Sequence, residues 1–248
     1  MNAMAITQTI AVGIFCKTPA TGLSKTRLSP PLRPEDCSAL SECFIRDLAA
    51  TMHTLSLDGD AVPYAVYTPV GTEPALRALL PSSFRLLPQC DGDFGTRLLH
   101  ATVGLLRAGH VGAILVNADS PTLPVSILQA AVRALLREDA VVLSPALDGG
   151  YTLIGLSRPH AHMFADIPWS TPHVHRLTVQ RAAEINLPVI NVPGWYDVDD
   201  KSSLHVLEAE LAGVRPPFAH PDIVGADAPA TRRFLAQRLE PAEAGALW

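Results

Sequence analysis

The chain has 248 residues, of which 48% are hydrophobic and 17% are charged, a composition typical of a globular protein with a sizeable core. Its net charge of -5 argues against a nucleic-acid-binding protein, because such proteins gain affinity from a basic face. No uninterrupted apolar run is long enough to predict a membrane span, so we expect a soluble protein.

The N-terminus and the cysteines indicate the compartment. Residues 1–9 lack the basic and apolar regions of a secretion signal, so we expect a cytoplasmic protein. The cysteines show no CxxC spacing, which argues against a zinc site or a redox pair and favours reduced packing residues. They are Cys16, Cys37, Cys43 and Cys90.

Strands and helices alternate along the first part of the chain. A short apolar run at 10–16 predicts a buried first strand, and a loop over 17–31 follows it. Further strands are predicted at 61–67, 84–88, 113–116 and 140–144. Helices are predicted at 34–55, 74–80, 95–108 and 125–137. This alternation indicates an α/β fold, with a mainly parallel sheet covered by helices on both faces.

The pattern changes after residue 144. A turn at 148–150 joins the strand at 140–144 to a strand at 151–155 without a helix, so we expect an antiparallel addition to the sheet. The remaining elements are predicted at 173–186 (helix), 188–192 (strand), 202–211 (helix) and 231–239 (short helix). We predict one domain over 1–248, with a core at 9–211 and an irregular C-terminal extension at 212–248.

The loop after the first strand carries a cluster of cations. In open parallel sheets, ligands bind beyond the carboxyl ends of the strands. Lys17, Lys25 and Arg27, together with Gly22 and Thr26, form a segment suited to wrapping a polyphosphate. The alternative is a solvated basic loop. The segment is not a P-loop, which requires glycines where this chain has a proline and a serine, and no GxGxxG dinucleotide motif follows the strand.

Acidic residues follow two other predicted strands. Asp119 comes directly after the strand at 113–116, where a carboxylate can reach a metal that bridges phosphate oxygens. Asp197 and Asp199 are two residues apart on an extended segment, face the same way, and could share a ligand. The alternative for these residues and for Asp200 is helix capping. We expect at least one of the acids to bind a metal.

Two further loops are weaker candidates. Segment 89–97 follows a strand, and its Arg97 could reach a phosphate or a base, although a surface loop is an equally good interpretation. The glycine pair at 149–150 permits a tight hairpin or a close approach of backbone to ligand. The paired histidines at 160/162 and 173/175 lack the further ligands of a zinc site and are read as linker residues.

Five motifs in order make a family resemblance recognisable. They are F-x-K-x-P-x-x-G-x-x-K-T-R-L (15–28), D-S-P-x-L-P (119–124), D-G-G-Y-x-L-I-G (148–155), W-S-T (169–171) and D-V-D (197–199). Over about 10–207, the chain resembles bacterial GT-A-type transferases of the nucleotide-diphospho-sugar transferase superfamily, some of them labelled arsenosugar-biosynthesis glycosyltransferases. It is more distantly similar to 2-phospholactate guanylyltransferase. The chain departs from the family where 200–202 replaces the more usual Thr-Pro-Glu.

The resemblance, together with the positions of the loops, implies roles for four groups of residues. It implies Mg²⁺ or Mn²⁺ as the cofactor, with Asp119 and Asp199 as ligands and Asp197 assisting; Lys25, Arg27 and Asp119 would be catalytic. The nucleotide would be bound by Lys17, Gly22, Lys25, Thr26, Arg27, Gln89 and Arg97. The acceptor or sugar would be bordered by Asp148, Gly149, Gly150, Tyr151, Trp169, Ser170 and Thr171.

Three functions remain open from the sequence. The first is a metal-dependent glycosyltransferase that moves a sugar from an NDP-sugar donor to a small-molecule acceptor. The second is a nucleotidyltransferase that couples an NTP to a phosphorylated or anionic acceptor and releases pyrophosphate. The third is a non-catalytic module that binds a nucleotide or sugar. We expect no nucleic acid as a partner and no membrane span.

Overall fold

The computed structural model describes residues 8–239, and these contain seven strands and seven α-helices. The strands are β1 (Ile10–Lys17), β2 (Ala61–Thr68), β3 (Arg85–Pro88), β4 (Gly112–Asn117), β5 (Val141–Pro145), β6 (Tyr151–Leu156) and β7 (Val189–Asn191). The helices are α1 (Pro34–Ser56), α2 (Glu73–Arg77), α3 (Phe94–Arg107), α4 (Val125–Arg137), α5 (Val174–Glu184), α6 (Lys201–Leu211) and α7 (Pro229–Leu239). Short 3-10 turns occur at Thr26–Leu28 and Ala161–Phe164.

The strands form one mixed sheet in the order β3-β2-β1-β4-β6-β5-β7. Strand β1 pairs in parallel with β2 and β4, β2 pairs in parallel with β3, and β5 pairs in parallel with β7. Strand β6 runs antiparallel to both of its neighbours, β4 and β5. The predicted α/β class and the antiparallel addition are therefore confirmed.

The two faces of the sheet bury separate hydrophobic clusters. On β1, Ile10, Val12 and Ile14 belong to the cluster that includes α1 and α4, whereas Ala11 belongs to the cluster that includes α3 and α5. This alternation follows from the two-residue side-chain period of a strand. Because both faces are covered, β1 is apolar along almost its whole length, which is why its pattern is continuous rather than alternating.

Within the described residues, the C-terminal extension contains a helix, α7, that packs on α1. The carboxylate of Asp47, on α1, accepts hydrogen bonds from the backbone N–H groups of Ala230 (2.9 Å) and Thr231 (2.8 Å). These N–H groups belong to the first turn of α7 and have no partner within their own helix. A carboxylate from a distant helix therefore caps α7 and fixes the extension to the core.

The predicted elements agree with the structure to within a few residues, and the two 3-10 turns were not predicted. Residues 1–7 and 240–248 lie outside the described residues. The expected cytoplasmic location rests mostly on residues 1–7. The single-domain organisation over 1–248 stays a prediction. Within 8–239, none of the helices combines the length and hydropathy needed to cross a bilayer.

Candidate active site

The sheet brings the predicted phosphate loop and the first acidic motif to one edge. Strands β1 and β4 are parallel neighbours, and Phe15 on β1 is in register with Asn117 on β4. The chain leaves both strands within two residues of this pair, so the loop that begins at Lys17 and the segment that holds Asp119 start side by side. This edge is the carboxyl end of the sheet, where ligands bind in open α/β folds.

Lys25 lies between two acidic residues that come from distant parts of the chain. Its Nζ is 2.7 Å from Asp119 Oδ1 and 2.9 Å from Asp199 Oδ1, and it donates to the backbone oxygen of Val198 at 2.7 Å. The Lys25 side chain is 6% exposed, whereas those of Asp119 and Asp199 are 36% and 44% exposed. The ammonium is therefore nearly enclosed, and the carboxylates keep a face toward solvent.

The backbone around this ion cluster is fixed by hydrogen bonds. The N–H of Val198 donates to the oxygen of Asp119 at 2.9 Å, which joins the two acidic motifs. The side chain of Asp200 accepts from Ser203 N at 2.8 Å and is the N-cap of α6. Among the three neighbouring acids, Asp200 is thus the capping residue, as the alternative interpretation allowed, and Asp199 is the one that contacts Lys25.

The electrostatic environment keeps Lys25 charged. Burial alone would lower the pKa of its ammonium, but the negative charges of Asp119 and Asp199 and the hydrogen bonds to them outweigh burial, so its pKa lies above the usual lysine value. A charged lysine between two carboxylates reduces the repulsion that they would otherwise exert on each other.

A cavity of about 340 Å³ opens beside Lys25. Lys17, Thr26 and Arg27 are exposed and line it, together with Asp119 and Asp199. Gly22, which has a positive φ of 75°, forms part of the same loop and has open space around it. Four residues predicted to bind the nucleotide, Lys17, Lys25, Thr26 and Arg27, therefore line this cavity, and Gly22 lies on the same loop.

A second cavity of about 480 Å³ adjoins the first and shares Phe15, Arg27, Asp119 and Asp199 with it. Its wall is aromatic: the ring centroid of Phe94 lies 5.5 Å from that of Phe15 and 5.0 Å from that of Trp169, both in edge-to-face arrangements. The remaining acidic lining residues are Asp148 and Asp197. The lining of the second cavity therefore combines aromatic rings with carboxylates.

Asp197 occupies a different environment from Asp199. Its carboxylate lies 3.5 Å from the amide nitrogen of Asn117, whose own oxygen accepts from Ser120 Oγ at 2.9 Å. Burial, followed by the charges of Asp148 and Asp199, raises the pKa of Asp197 to about 7. The two acids of the D-V-D motif therefore do not share Lys25, although both line the second cavity.

Gln89 and Arg97 form a structural contact instead of lining the first cavity. The amide nitrogen of Gln89 donates to the backbone oxygens of Cys16 (3.0 Å) and Val66 (2.8 Å), so it bridges β1 and β2. Arg97 donates to the Gln89 side-chain oxygen, and its guanidinium lies 5.5 Å from the ring centroid of Phe15. Arg97 therefore packs on the ring of Phe15, which is part of the aromatic wall. Nucleotide binding by Gln89 and Arg97 stays a prediction.

The DGGY turn packs on Pro172, the residue that follows the W-S-T segment. Gly149 has φ of +88°, and a Cβ at this position would lie 2.2 Å from the backbone oxygen of Pro172. Its own oxygen accepts from His175 N at 2.9 Å. Residues predicted to border the acceptor or sugar meet at the second cavity, whose lining includes Asp148, Gly150, Tyr151, Trp169, Ser170 and Thr171. The backbone of Gly149 therefore contacts both Pro172 and His175.

Asp119 and Asp199 can bind a divalent metal between them only if the Lys25 ammonium moves away. Within residues 8–239, no cluster of three or more His, Cys, Asp or Glu side chains is arranged to hold a metal. Mg²⁺ is usually bound by one or two carboxylates with phosphate oxygens and waters, so Asp119 and Asp199 suffice if a nucleotide completes the site. The Lys25 ammonium must first leave the carboxylate oxygens that the metal would use.

Sequence reasoning missed three residues of the second cavity, Phe15, Phe94 and Asn117. Phe15 and Asn117 are the partners at the carboxyl ends of β1 and β4, and this position could have identified them. Phe94 is 40% exposed at the start of α3, and an exposed aromatic residue after a glycine-containing turn is a usable signal.

Comparisons with known proteins give one family match and several matches to solved structures. Residues 51–171, just under half of the chain, match the family DUF2064, described as "Uncharacterized protein conserved in bacteria". A crystal structure from Desulfovibrio desulfuricans G20, provisionally named a nucleotide-diphospho-sugar transferase, is 26% identical with a TM-score of 0.78. The match covers 93% of this chain and 95% of that one. No curated protein sequence matches the chain.

Two more distant structures share the fold alone. A CMP:2-keto-3-deoxy-manno-octonic acid synthetase complexed with CTP is 12% identical with a TM-score of 0.55, and covers 83% of this chain and 99% of that one. A 4-diphosphocytidyl-2C-methyl-D-erythritol synthase from Anaerococcus prevotii DSM 20548 is 12% identical with a TM-score of 0.54 (86% and 100%). The similarities confirm the expected nucleotide-diphospho-sugar transferase-like fold, and the names agree with the expected transferase class.

Gly149→Ala tests the packing of the DGGY turn on Pro172. We expect it to lower the free energy of unfolding by about 3 kcal/mol or more, because the new Cβ meets backbone and the φ is positive. Gly59→Ala is the matched control: it has φ of +86° but open space, and should cost roughly 1–2 kcal/mol. Urea denaturation measures both, and equal losses would contradict the contact.

Asp197→Asn tests the buried carboxyl. Its folded-state pKa of about 7 lies above the ordinary value, so the wild type should lose stability as the pH rises from about 4 through 7. The variant should gain roughly 2–4 kcal/mol over the wild type at pH 8 and little at pH 4.

Urea denaturation of both proteins from about pH 4 to pH 8, in the presence of EDTA, measures this difference in the free energy of unfolding. Asp200→Asn is the control, because the backbone N–H of Ser203 lowers the pKa of Asp200, so this variant should not gain stability at pH 8. An Asp197→Asn gain that does not grow with pH would contradict the assignment.

Proposed function

We propose that this protein is a metal-dependent glycosyltransferase that takes an NDP-sugar donor and transfers the sugar to a neutral, hydroxylated small molecule. The observation that carries the proposal is the pair of adjoining cavities. One is bordered by a loop with three cations, and the other by aromatic rings and carboxylates. They meet at Asp119 and Asp199, where the activated bond of a donor would lie.

The loop cations suit the diphosphate of the donor. Lys17 and Arg27 are exposed on the rim of the first cavity and can bind phosphate oxygens by charge-assisted hydrogen bonds. Asp119 and Asp199 would hold Mg²⁺ or Mn²⁺, which supplies positive charge to the departing diphosphate when bound. Arg27 lines both cavities and can therefore reach the phosphate nearest the bond that breaks.

The charge of the second cavity favours sugar transfer over nucleotidyl transfer. Its lining contains one cation, Arg27, and the side chains of Asp148 and Asp197, besides Asp119 and Asp199, whose charges Lys25 or a bound metal balances. A phosphorylated or anionic acceptor, which the nucleotidyltransferase alternative requires, would be repelled by Asp148 and by Asp197 when it is ionised. Sugar hydroxyls, in contrast, donate hydrogen bonds to carboxylates.

The aromatic wall also suits a sugar or a similar ring. Phe94 and Trp169 offer apolar surface to the C–H groups of a bound ring, while Asp148 and Asp197 lie in the same cavity and can orient hydroxyls. The similarity to the Desulfovibrio structure, whose provisional name refers to a nucleotide-diphospho-sugar, supports the same choice. The acceptor hydroxyl would attack the anomeric carbon, and the bond from that carbon to the diphosphate would break.

A donor screen tests the proposal. The purified protein is incubated with a panel of NDP-sugars or NTPs, with Mg²⁺ or Mn²⁺, and released NDP and pyrophosphate are measured separately. We expect metal-dependent NDP release from one NDP-sugar, and Asp119→Asn should reduce the rate at least about 100-fold, because a group that stabilises the leaving diphosphate is lost.

Asp222→Asn is the control, since that side chain is 89% exposed and distant in sequence from the motifs. Circular dichroism establishes that each variant is folded. Pyrophosphate release from an NTP would favour nucleotidyl transfer instead. Binding of a nucleotide without any turnover would favour the non-catalytic module.

A further inference from the structure

The Lys25 ammonium has no hydrogen-bond donor left for a nucleotide. An ammonium carries three N–H donors, and Nζ of Lys25 has three oxygens within 2.9 Å: Asp119 Oδ1, Asp199 Oδ1 and the oxygen of Val198. In this arrangement, Lys25 can bind a phosphate only by giving up one of these partners. Its predicted role in phosphate binding therefore requires it to move.

A metal that bridges Asp119 and Asp199 would take the position that the Lys25 ammonium now occupies. The ammonium lies 2.7 Å from Asp119 Oδ1 and 2.9 Å from Asp199 Oδ1, and both acidic residues line both cavities. A divalent ion and an ammonium cannot occupy the space between the same two atoms together. The resident lysine and an incoming metal must therefore compete.

The surroundings permit the ammonium to leave. Lys25 starts the 3-10 turn Thr26–Leu28 in a left-handed backbone conformation (φ 50°, ψ 39°), at the end of a loop whose Leu23 is 61% exposed. Its four-carbon stem is flexible, and the cavity of about 340 Å³ lies directly beside it. A rotation of the side chain therefore brings the ammonium to the space where the loop cations would bind phosphates.

We propose that Lys25 is an exchangeable cation: it neutralises Asp119 and Asp199 in the nucleotide-free protein, and a divalent metal replaces it when the nucleotide binds. The released ammonium then binds a phosphate. This inference rests on the proposed function. It implies that the metal alone binds weakly, because it must displace Lys25, and that the metal and a diphosphate favour each other's binding, because each stabilises the exchanged arrangement.

Mn²⁺ binding without nucleotide tests the competition. The full-length protein is titrated with Mn²⁺, and free Mn²⁺ is measured by electron paramagnetic resonance. Lys25→Met should bind Mn²⁺ at least about tenfold more tightly than the wild type, because the competing charge is removed. Lys17→Met is the matched control: it removes a lysine from the same loop that does not hold the carboxylates, and should change the affinity less than about threefold.

Equal or weaker Mn²⁺ binding by Lys25→Met would overturn the proposal, as would a similar gain in Lys17→Met. Lysine ammonium NMR of the wild type provides a second measurement that does not depend on the variant folding, since the chain has only three lysines: Lys17, Lys25 and Lys201. Lys25 should give a slowly exchanging ¹⁵Nζ signal that saturating Mg²⁺ shifts or abolishes. A Lys25 signal unchanged when Mg²⁺ saturates the protein would also overturn the proposal.

Failure of this inference and failure of the proposed function give different results. Turnover of an NDP-sugar by a wild type whose Mn²⁺ affinity does not respond to Lys25→Met would leave the function standing without the exchange. Tighter Mn²⁺ binding by Lys25→Met, with no NDP released from any NDP-sugar, would leave the exchange standing without the function.

Discussion

The contact of the Lys25 ammonium with Asp119 and Asp199 is the interaction on which the organisation of the site depends. It joins the first loop of the chain to a segment 174 residues later, and a backbone hydrogen bond from Val198 to Asp119 joins the two acidic motifs beside it. Two carboxylates at such close range need a cation between them. The lysine meets this need within the chain, and it limits what the site can bind until it moves.

The charges around this contact differ between the two cavities. The first cavity has cations on an exposed loop and suits a diphosphate, whereas the second has carboxylates and aromatic rings and suits hydroxyl groups. A ligand that is anionic at one end and neutral at the other fits this division of charge, which is why we propose a nucleotide-sugar rather than a nucleotide with an anionic acceptor. The packing of Gly149 against Pro172 also fixes part of the wall of the second cavity.

Most of the fold could be predicted from the sequence because its strands are short apolar runs and its helices lie between them. The absence of a helix between 140–144 and 151–155 predicted the antiparallel strand, and the structure has it as β6. The site was harder to predict. The motifs placed Lys25, Asp119 and Asp199 at one sheet edge, but their direct contact depends on the path of a loop that periodicity does not describe.

For other residues of the site, the sequence does not show which of two possible partners a side chain binds. Gln89 follows a strand like a ligand-binding residue, yet its amide group bridges the backbones of β1 and β2. Asp199 and Asp200 are adjacent acids, and hydrogen bonds to Ser203 determine which one caps α6. Phe15 and Phe94 were overlooked because aromatic residues are common in cores, and only the three-dimensional arrangement distinguishes a cavity wall from a core.

A crystal structure of the protein grown with Mn²⁺ and the nucleoside diphosphate identified by the donor screen tests this account most directly, since anomalous scattering locates the metal independently. The account predicts Mn²⁺ bound to Asp119 and Asp199, with the Lys25 ammonium on a phosphate oxygen. A diphosphate bound in the first cavity while Lys25 remains between the two carboxylates, with Mn²⁺ elsewhere, would contradict it.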